Sequence, residues 1–326
     1  MVLATATLIA GLLVLYLGGH YLVQGATRIA LLARMSASVV GLTVVAMGTS
    51  LPELAVSVNA AAKGATDLAY GNIVGSTIFN IGAVLGVSAL FFPLAVKRRT
   101  IQIEYPFLFV VSCVVLLLCR DRNVDRLEGG FLVLALILFT GFVVYVARRD
   151  VAADEAVVLE REVQRAAKIE RGVGRAWGVN IMLVVLGIVA LVAGADLIVR
   201  GAVTIATALG VDERIIGLTV VAMGTSLPEL AASVIASRQG EQEIALANVI
   251  GSNVFDLLGV LGVTALIFPV PIHAAAATLD NWVMLGFCGA LFPVMYFERR
   301  VSRLDGLILI FGFSAYIAYL ALARSA

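Results

Sequence analysis

A seven-residue motif with the side chains for cation chemistry occurs twice in this sequence. Gly-Thr-Ser-Leu-Pro-Glu-Leu occupies residues 48–54 and recurs, identical, at residues 224–230. Each copy carries one carboxylate, Glu53 or Glu229, preceded by a threonine and a serine. Residues three and four apart lie on the same side of a helix, so hydroxyl and carboxylate oxygens can share a face.

The proline in each copy makes backbone oxygens available as well. Pro52 and Pro228 each lack a backbone donor and clash with the preceding turn, so we predict that both break their helices. Carbonyl groups at such a break need partners that lipid cannot supply but a bound cation can. The carbonyls concerned belong to Ala46, Met47 and Gly48 and to Ala222, Met223 and Gly224.

A second polar pattern follows each heptapeptide. Three polar side chains recur at intervals of four residues, which places them on one face of a helix. With the heptapeptides, they offer carboxylate, hydroxyl, amide and main-chain oxygens, the hard donors of Ca²⁺ rather than the nitrogen and sulfur that Zn²⁺ or Cu²⁺ prefer. The side chains are Asn72, Ser76 and Asn80 in the first block and Asn248, Ser252 and Asp256 in the second.

A purely structural role is the alternative for either heptapeptide taken singly. Proline-kinked transmembrane helices are common, and serine or threonine hydroxyls often bond to their own helix. Glu53 and Glu229, however, lie deep in apolar segments, where a carboxylate costs about 2.5–3.5 kcal/mol even on lenient scales. Two copies with buried carboxylates favour a functional site.

The rest of the chain indicates an all-α polytopic membrane protein. Hydrophobic residues make up 61% of 326 residues, too many for a water-soluble globule. A membrane span needs about 20 apolar residues. Ten segments approach that length: residues 4–27, 39–62, 69–93, 104–119, 128–147, 177–206, 215–237, 243–269, 281–297 and 304–322.

The ten segments form two related halves. A shift of 176 positions aligns residues 11–93 with residues 187–269 without a gap. Because five helices per half is an odd number, the second half must enter the membrane from the opposite side, which gives an inverted repeat. We predict a first repeat at 1–147 with its motif at 41–90, a linker at 148–176, and a second repeat at 177–326 with its motif at 217–266.

The distribution of basic residues predicts the orientation. Of the 23 Lys and Arg residues, 16 fall in the loops that lie on the same side as the 148–176 linker. Cytoplasmic loops are enriched in basic residues. We therefore expect a protein of the plasma or inner membrane whose linker is cytoplasmic and whose two termini lie on the outer side. The net charge of +1 argues against nucleic acid as a partner, and no obligate protein partner is evident beyond the lipid bilayer.

With these motifs, the sequence resembles the cation/calcium exchangers, which include the sodium/calcium exchangers. The duplicated Gly-Thr-Ser-x-Pro-Glu and Gly-Ser-x-x-x-Asn/Asp motifs are similar to the two alpha-repeats of that family, and the resemblance covers nearly the whole chain. It implies antiport of Ca²⁺ against Na⁺ by alternating access. Helices 2, 3, 7 and 8 would form a midplane site between the repeats, and helices 1 and 6 would slide past them.

The resemblance also implies an ion-binding set. Glu53 and Glu229 would be central Ca²⁺ ligands, and Asn80 and Asp256 a polar pair between them. Serine and threonine hydroxyls and two main-chain carbonyls would complete the set. These further ligands would be Thr49, Ser50, Thr225, Ser226, Ser76, Ser252, Ala46 and Ala222.

The coupling ion has alternatives. The proton-coupled branch carries an acidic residue at the positions of Gly75 and Gly251, a departure that favours Na⁺ over H⁺, and a K⁺-dependent exchanger is a third possibility. A cation channel could also use paired carboxylates, but it needs no counter-ion gradient. We expect no enzymatic activity, because neither a histidine-bound metal nor a Ser-Lys or Ser-His arrangement accompanies the glutamates, and we expect no cofactor.

Overall fold

Helices make up nearly all of the chain that the structure, a computed structural model, describes: residues 2–149, 173–209, 222–272 and 279–323. Long apolar runs satisfy their backbone groups within each helix, as a membrane requires. In chain order the helices are α1 Val2–Leu32, α2 Ala37–Thr49, α3 Leu51–Ala62, α4 Thr66–Phe91, α5 Thr100–Asp121, α6 Arg126–Arg149, α7 Val173–Ala208, α8 Ala222–Gly224, α9 Leu227–Arg238, α10 Gln242–Ile267, α11 Asn281–Phe297 and α12 Arg303–Ala323.

Two short β-ladders depart from the all-helical prediction. Strands β1 (Leu94–Ala95) and β4 (Arg300–Val301) pair antiparallel. Strands β2 (Asn123–Val124) and β3 (Val270–Pro271) pair in the same way. Each ladder is two residues long and follows the end of a helix, so it joins connecting segments without forming a sheet of its own.

The helical membrane class is confirmed. Within the described residues, seven helices are long and apolar enough to cross a membrane, and α2 with α3 makes an eighth if the bent pair counts as one span. The span predicted at 104–119 is longer in the structure, because a π-helical turn at Thr100–Glu104 extends α5 toward its N-terminus. The ten-helix inverted repeat stays a prediction. Residues 150–172 of the linker and 215–221 of the predicted seventh span lie outside the described residues.

The chain divides into two compact units that differ from the predicted repeats. The first unit comprises residues 1–49 and 137–251, and the second comprises residues 50–136 and 252–326. Each unit therefore takes helices from both predicted repeats. The division falls inside the first heptapeptide and inside the second polar block. The repeats at 1–147 and 177–326 remain a prediction that rests on the similarity of the two halves in sequence.

In the first unit, α1 and α7 pack backbone against backbone. A Cβ atom added at Gly18 would lie 2.7 Å from the backbone nitrogen of Leu191, and one added at Gly194 would lie 2.6 Å from that of Leu15. Only glycine permits this approach, because any side chain would collide with the facing backbone. The glycines recur every seven residues on both helices and form a ladder: Gly11, Gly18 and Gly25 on α1, and Gly187, Gly194 and Gly201 on α7.

In the second unit, glycines also allow close backbone packing at two helix pairs. A Cβ atom at Gly306 of α12 would lie 2.6 Å from the carbonyl oxygen of Gly86 on α4. A Cβ atom at Gly129 of α6 would lie 2.7 Å from the carbonyl oxygen of Gly262 on α10. Small residues at the interface are the usual route to close helix packing where lipid removes the hydrophobic driving force.

The glycine ladder predicts a position-specific loss of stability. Gly18→Val should lower the midpoint of thermal unfolding of the purified protein in detergent, because the side chain would overpack the α1–α7 interface at a cost of about 1–3 kcal/mol. Gly178→Val is the matched control: it makes the same change on α7, where an added Cβ meets nothing within 4 Å. Equal losses in the two variants would contradict a role for close helix approach.

Candidate functional site

The first heptapeptide lies at a helix break. Helix α2 ends at Thr49, α3 begins at Leu51, and the two are bent by 42°. Ser50 between them has φ −84° and ψ 9°, outside the helical region. Pro52 stands in the first turn of α3, where its missing N–H would have no helical acceptor in any case. The predicted break is confirmed, and it falls before the proline because the ring disturbs the preceding turn.

The second heptapeptide has the same local form. Helix α8 ends at Gly224 and α9 begins at Leu227, with Ser226 at φ −93° and ψ 10°. Pro228 again occupies the first turn of the following helix. The nearly equal dihedral angles of Ser50 and Ser226 show that the identical sequences adopt the same backbone at both sites.

Each break sets opposite electrostatic features side by side. Glu53 and Glu229 lie in the first turns of α3 and α9. A helix N-terminus favours a carboxylate there, whereas the C-terminus of the preceding helix presents carbonyl oxygens without helical donors. Carboxylate and carbonyl oxygens are the types of group that bind cations and repel anions.

All three carboxylates of the predicted site are buried. Glu53, Glu229 and Asp256 each have 0% of their surface exposed. Transfer of an ionised carboxylate out of water is unfavourable unless hydrogen bonds, a counter-charge or a bound cation compensates. Any of these three carboxylates that is ionised therefore needs hydrogen bonds, a counter-charge or a bound cation around it.

In the first unit, Asn248 of α10 joins two segments of the predicted site. Its Nδ2 donates to the carbonyl oxygen of Glu229 at 3.4 Å and to Oγ of Ser233 at 2.9 Å. Its Oδ1 accepts from the hydroxyl of Thr49 at 3.3 Å. The same hydroxyl lies 3.2 Å from the carbonyl oxygen of Ala46. One amide thus connects the last turn of α2 with the first turn of α9.

In the second unit, Asn72 of α4 makes the same two donor bonds. Its Nδ2 donates to the carbonyl oxygen of Glu53 at 3.2 Å and to Oγ of Ser57 at 2.9 Å. Ser57 is fully buried and donates in turn to the carbonyl oxygen of Ala69 at 3.4 Å. The hydrogen bonds tie α4 to the helix that carries Glu53.

The second unit also brings together the predicted polar pair. Asn80 Nδ2 donates to Asp256 Oδ2 at 3.3 Å, and both side chains are buried. Both residues lie in π-helical turns, Asn80–Leu85 and Phe255–Val260, a local form frequent at functional sites. Ser252, one turn before Asp256, is fully buried, and its Oγ has no hydrogen-bond partner among the described residues.

The remaining predicted ligands take these places. Ser50, Ser226 and Ser76 are buried, whereas Thr225 is partly exposed. Ala46 is buried in α2, and Ala222 begins α8. The first unit holds Ala46, Thr49, Ala222, Thr225, Ser226 and Glu229, and the second holds Ser50, Glu53, Ser76, Asn80, Ser252 and Asp256.

The sequence patterns did not predict a role for the two serines that accept hydrogen bonds from Asn72 and Asn248. Ser57 and Ser233 each stand four residues after a glutamate, on the same helix face. Their signal was present, because both repeats carry serine at this position. Spacing along one helix did not show that the amide nitrogens of Asn72 and Asn248 donate to the neighbouring helix.

Comparison with known proteins links this arrangement to a family of transporters. The sequence profile described as "Sodium/calcium exchanger protein" matches residues 3–145 and 179–322. The chain is 40% identical over 319 residues to CaxA of Alkalimonas amylolytica, covering 97% of this chain and 98% of the relative. It is 31% identical over 349 residues to sodium/calcium exchanger MaX1 of Methanosarcina acetivorans, covering 96% and 97%.

A solved structure agrees over the same length. The sodium-calcium exchanger NCX_Mj, soaked with Na⁺ and Ca²⁺, superposes with a TM-score of 0.83 at 28% sequence identity. The match covers 98% of this chain and 99% of that chain. The resemblance in sequence therefore extends to the path of the backbone.

Proposed function

The chain belongs to the sodium/calcium exchanger protein family, and from that premise we propose that it is a secondary active antiporter that exchanges Ca²⁺ for Na⁺ across the membrane. The observation that carries the proposal is the burial of Glu53 and Glu229, each in the first turn after a broken apolar helix. Ionisable groups within membrane spans mark ion pathways far more often than structural contacts.

The chemistry of the candidate ligands supports Ca²⁺ and Na⁺ as cargo. Ca²⁺ takes six to eight oxygen ligands, including carboxylates, carbonyls and hydroxyls, in a flexible geometry. Both broken helices supply these groups. We assign Glu53 and Glu229 as the principal Ca²⁺ ligands, shared with Na⁺. The other proposed ligands are Thr49, Ser50, Thr225, Ser226, Ser76, Ser252, Asn80, Asp256, Ala46 and Ala222.

The buried charges of Glu53 and Glu229 give a physical reason why the protein would exchange ions and would not let one ion pass without a counter-ion. An ionised Glu53 and Glu229 without a cation would leave two negative charges in a medium of low dielectric constant, which is strongly unfavourable. A carrier loaded with Ca²⁺ or with Na⁺ neutralises them. The loaded carrier can therefore change its conformation more readily than the empty one, and this couples the two fluxes.

Na⁺ is the favoured coupling ion. The matching family is that of sodium/calcium exchangers, and MaX1 and NCX_Mj are each described as a sodium/calcium exchanger. Gly75 and Gly251 occupy positions where the proton-coupled branch carries an acid. Coupling to H⁺ or K⁺ and a cation channel are the alternatives that the flux experiment below separates.

The proposed transport cycle uses two inverted five-helix repeats and alternating access, with a cytoplasmic linker and both termini outside. The 176-residue repeat in the sequence and the bias of basic residues support this arrangement. It can be checked with an impermeant thiol reagent, on a background without native cysteines. A cysteine at exposed Lys63 should react from outside, and one at exposed Arg238 from inside. Reaction of both from one side would refute the inversion.

The flux experiment tests coupling and the glutamates together. Purified protein in liposomes should take up calcium-45 when an outward Na⁺ gradient is imposed, and not when an equal K⁺ or pH gradient replaces it. Glu53→Gln and Glu229→Gln should each reduce uptake to the level of protein-free liposomes, because Ca²⁺ loses a charged ligand.

Both glutamine variants should remain folded, since they replace a buried charge by a neutral group of the same shape. Elution as a single species in detergent is the control for folding. Near wild-type uptake in either variant would remove that glutamate from the site. Uptake without any counter-ion gradient would indicate a channel.

Asp256 is proposed to be protonated for at least part of the cycle. Glu53, Glu229 and Asp256 would otherwise add three negative charges against the two positive charges of one Ca²⁺ ion. Asn80 occupies the equivalent position of the first repeat without any charge, and it contacts Asp256 directly. A neutral residue is thus compatible with this environment.

The prediction for Asp256 separates charge from hydrogen bonding. Asp256→Asn should keep substantial Na⁺-driven calcium-45 uptake, because an amide retains an oxygen next to Asn80. Asp256→Ala should lose more, because it removes that oxygen. If Asp256→Asn were as inactive as Glu53→Gln in the same assay, Asp256 would have to be ionised.

A further inference from the structure

Two asparagines share an arrangement that the proposed transport chemistry does not explain. Asn72 and Asn248 occupy equivalent positions 176 residues apart, and each belongs to a different compact unit. In both units, Nδ2 donates to the backbone carbonyl of the preceding motif's glutamate and to the serine one turn later. The same pattern of one donor and two acceptors thus occurs twice without shared residues.

The orientation of both amides follows from their partners. A backbone carbonyl only accepts hydrogen bonds, so the nitrogen, not the oxygen, must face Glu53 and Glu229. The oxygen of Asn248 is then on the side of the Thr49 hydroxyl, which can donate to it. The three hydrogen bonds of Asn248 agree with one amide orientation.

The bonds fix the position of the glutamate backbone. The two acceptors, the glutamate carbonyl and the serine hydroxyl, are one helical turn apart on the same face of α3 or α9. Two bonds from one side chain to points one turn apart restrain both the rotation and the axial shift of that helix. The direction in which the glutamate side chain leaves the helix is set by the same backbone.

Asn248 adds a link between helices. Thr49 and Glu229 belong to different helices and to opposite repeats, yet both are bonded to this one fully buried amide. The hydroxyl proton of Thr49 is shared between Asn248 Oδ1 and the Ala46 carbonyl, at 3.3 and 3.2 Å. A change at Asn248 therefore alters the hydroxyl as well as the glutamate.

We infer that Asn72 and Asn248 are positioning residues for ion binding: they contact no cargo and instead hold the backbone of Glu53 and Glu229, with Asn248 also orienting the Thr49 hydroxyl. This inference rests on the proposed function. The pre-organised ligands favour the bound ion, so loss of either amide weakens cargo binding more than it slows the conformational step.

The test measures the external Ca²⁺ concentration for half-maximal Na⁺-driven uptake and, separately, the maximal rate per folded protein. Asn248→Ala and Asn72→Ala should each raise the half-saturating concentration about tenfold or more, as loss of buried hydrogen bonds to a polar group does. The maximal rate should change less. Ser233→Ala removes the hydroxyl acceptor of Asn248. Ser57→Ala removes the hydroxyl acceptor of Asn72 together with the bond from Ser57 to the Ala69 carbonyl. Each serine variant should give a smaller shift in the same direction, because the bond from the asparagine to the glutamate carbonyl remains.

Asn253 supplies the matched control. It is a fully buried asparagine on the same helix as Asn248, five residues further on, and neither of its amide atoms has a hydrogen-bond partner among the described residues. The first repeat carries Thr77 at its place. Asn253→Thr should leave the half-saturating Ca²⁺ concentration unchanged, although it also alters a buried amide.

A double-mutant cycle tests the link to Thr49. Thr49→Val and Asn248→Ala each raise the half-saturating concentration, and the double variant should show less than the product of the two increases, because both changes break the same contact. If the increase in the double variant equalled the product of the two single increases, the link between Asn248 and Thr49 would be refuted. This readout does not depend on how much protein folds.

The outcomes separate this inference from the proposed function. Absence of Na⁺-driven uptake in the wild type would refute the function. Wild-type uptake with unchanged half-saturation in the asparagine and serine variants, and only a lower yield of folded protein, would refute the positioning role. If Asn248→Ala does not fold, Asn72→Ala and the two serine variants decide the question by the same criterion.

Discussion

The burial of two carboxylates inside apolar helices is the constraint on which the rest of this structure depends. Glu53 and Glu229 have no exposed surface, and hydrocarbon offers them no compensation. The protein meets this demand in part with its own backbone. A helix break next to each glutamate places the carboxylate at a helix N-terminus, where the partial positive charge favours it. In the proposed cycle, the transported ion completes the compensation.

The packing of the surrounding helices follows from the same membrane setting. Lipid tails are as apolar as leucine, so helices gain little by hiding apolar side chains from them. The glycine ladder between α1 and α7 instead gains van der Waals contact by bringing the backbones together. The pattern recurs at the Gly86–Gly306 and Gly129–Gly262 contacts. Close backbone contact at these pairs holds the helices together.

Local sequence carried enough information to predict several elements. Proline in each heptapeptide predicted both breaks, and intervals of four placed Asn80 and Asp256 on polar helix faces, where the structure shows them in contact. Other features depend on tertiary contacts. The donor role of Asn72 and Asn248 depends on which helix lies beside them, and spacing along one helix cannot give that.

The length of α5 and the two short ladders also escaped prediction. A π-helical turn and two-residue strands have weak sequence signals, because few residues contribute to each. The glycine ladder had a clear signal, glycine at every seventh residue in two helices. Its meaning required the partner helix, since a glycine in an apolar span is also compatible with a kink.

The central claim is that Ca²⁺ and Na⁺ use the same buried oxygens. Equilibrium binding of calcium-45 to the purified protein in detergent, at increasing NaCl or at matched choline chloride, tests it most directly. The account predicts that Na⁺ displaces Ca²⁺ and that choline does not. Equal effects of Na⁺ and choline would contradict a shared site.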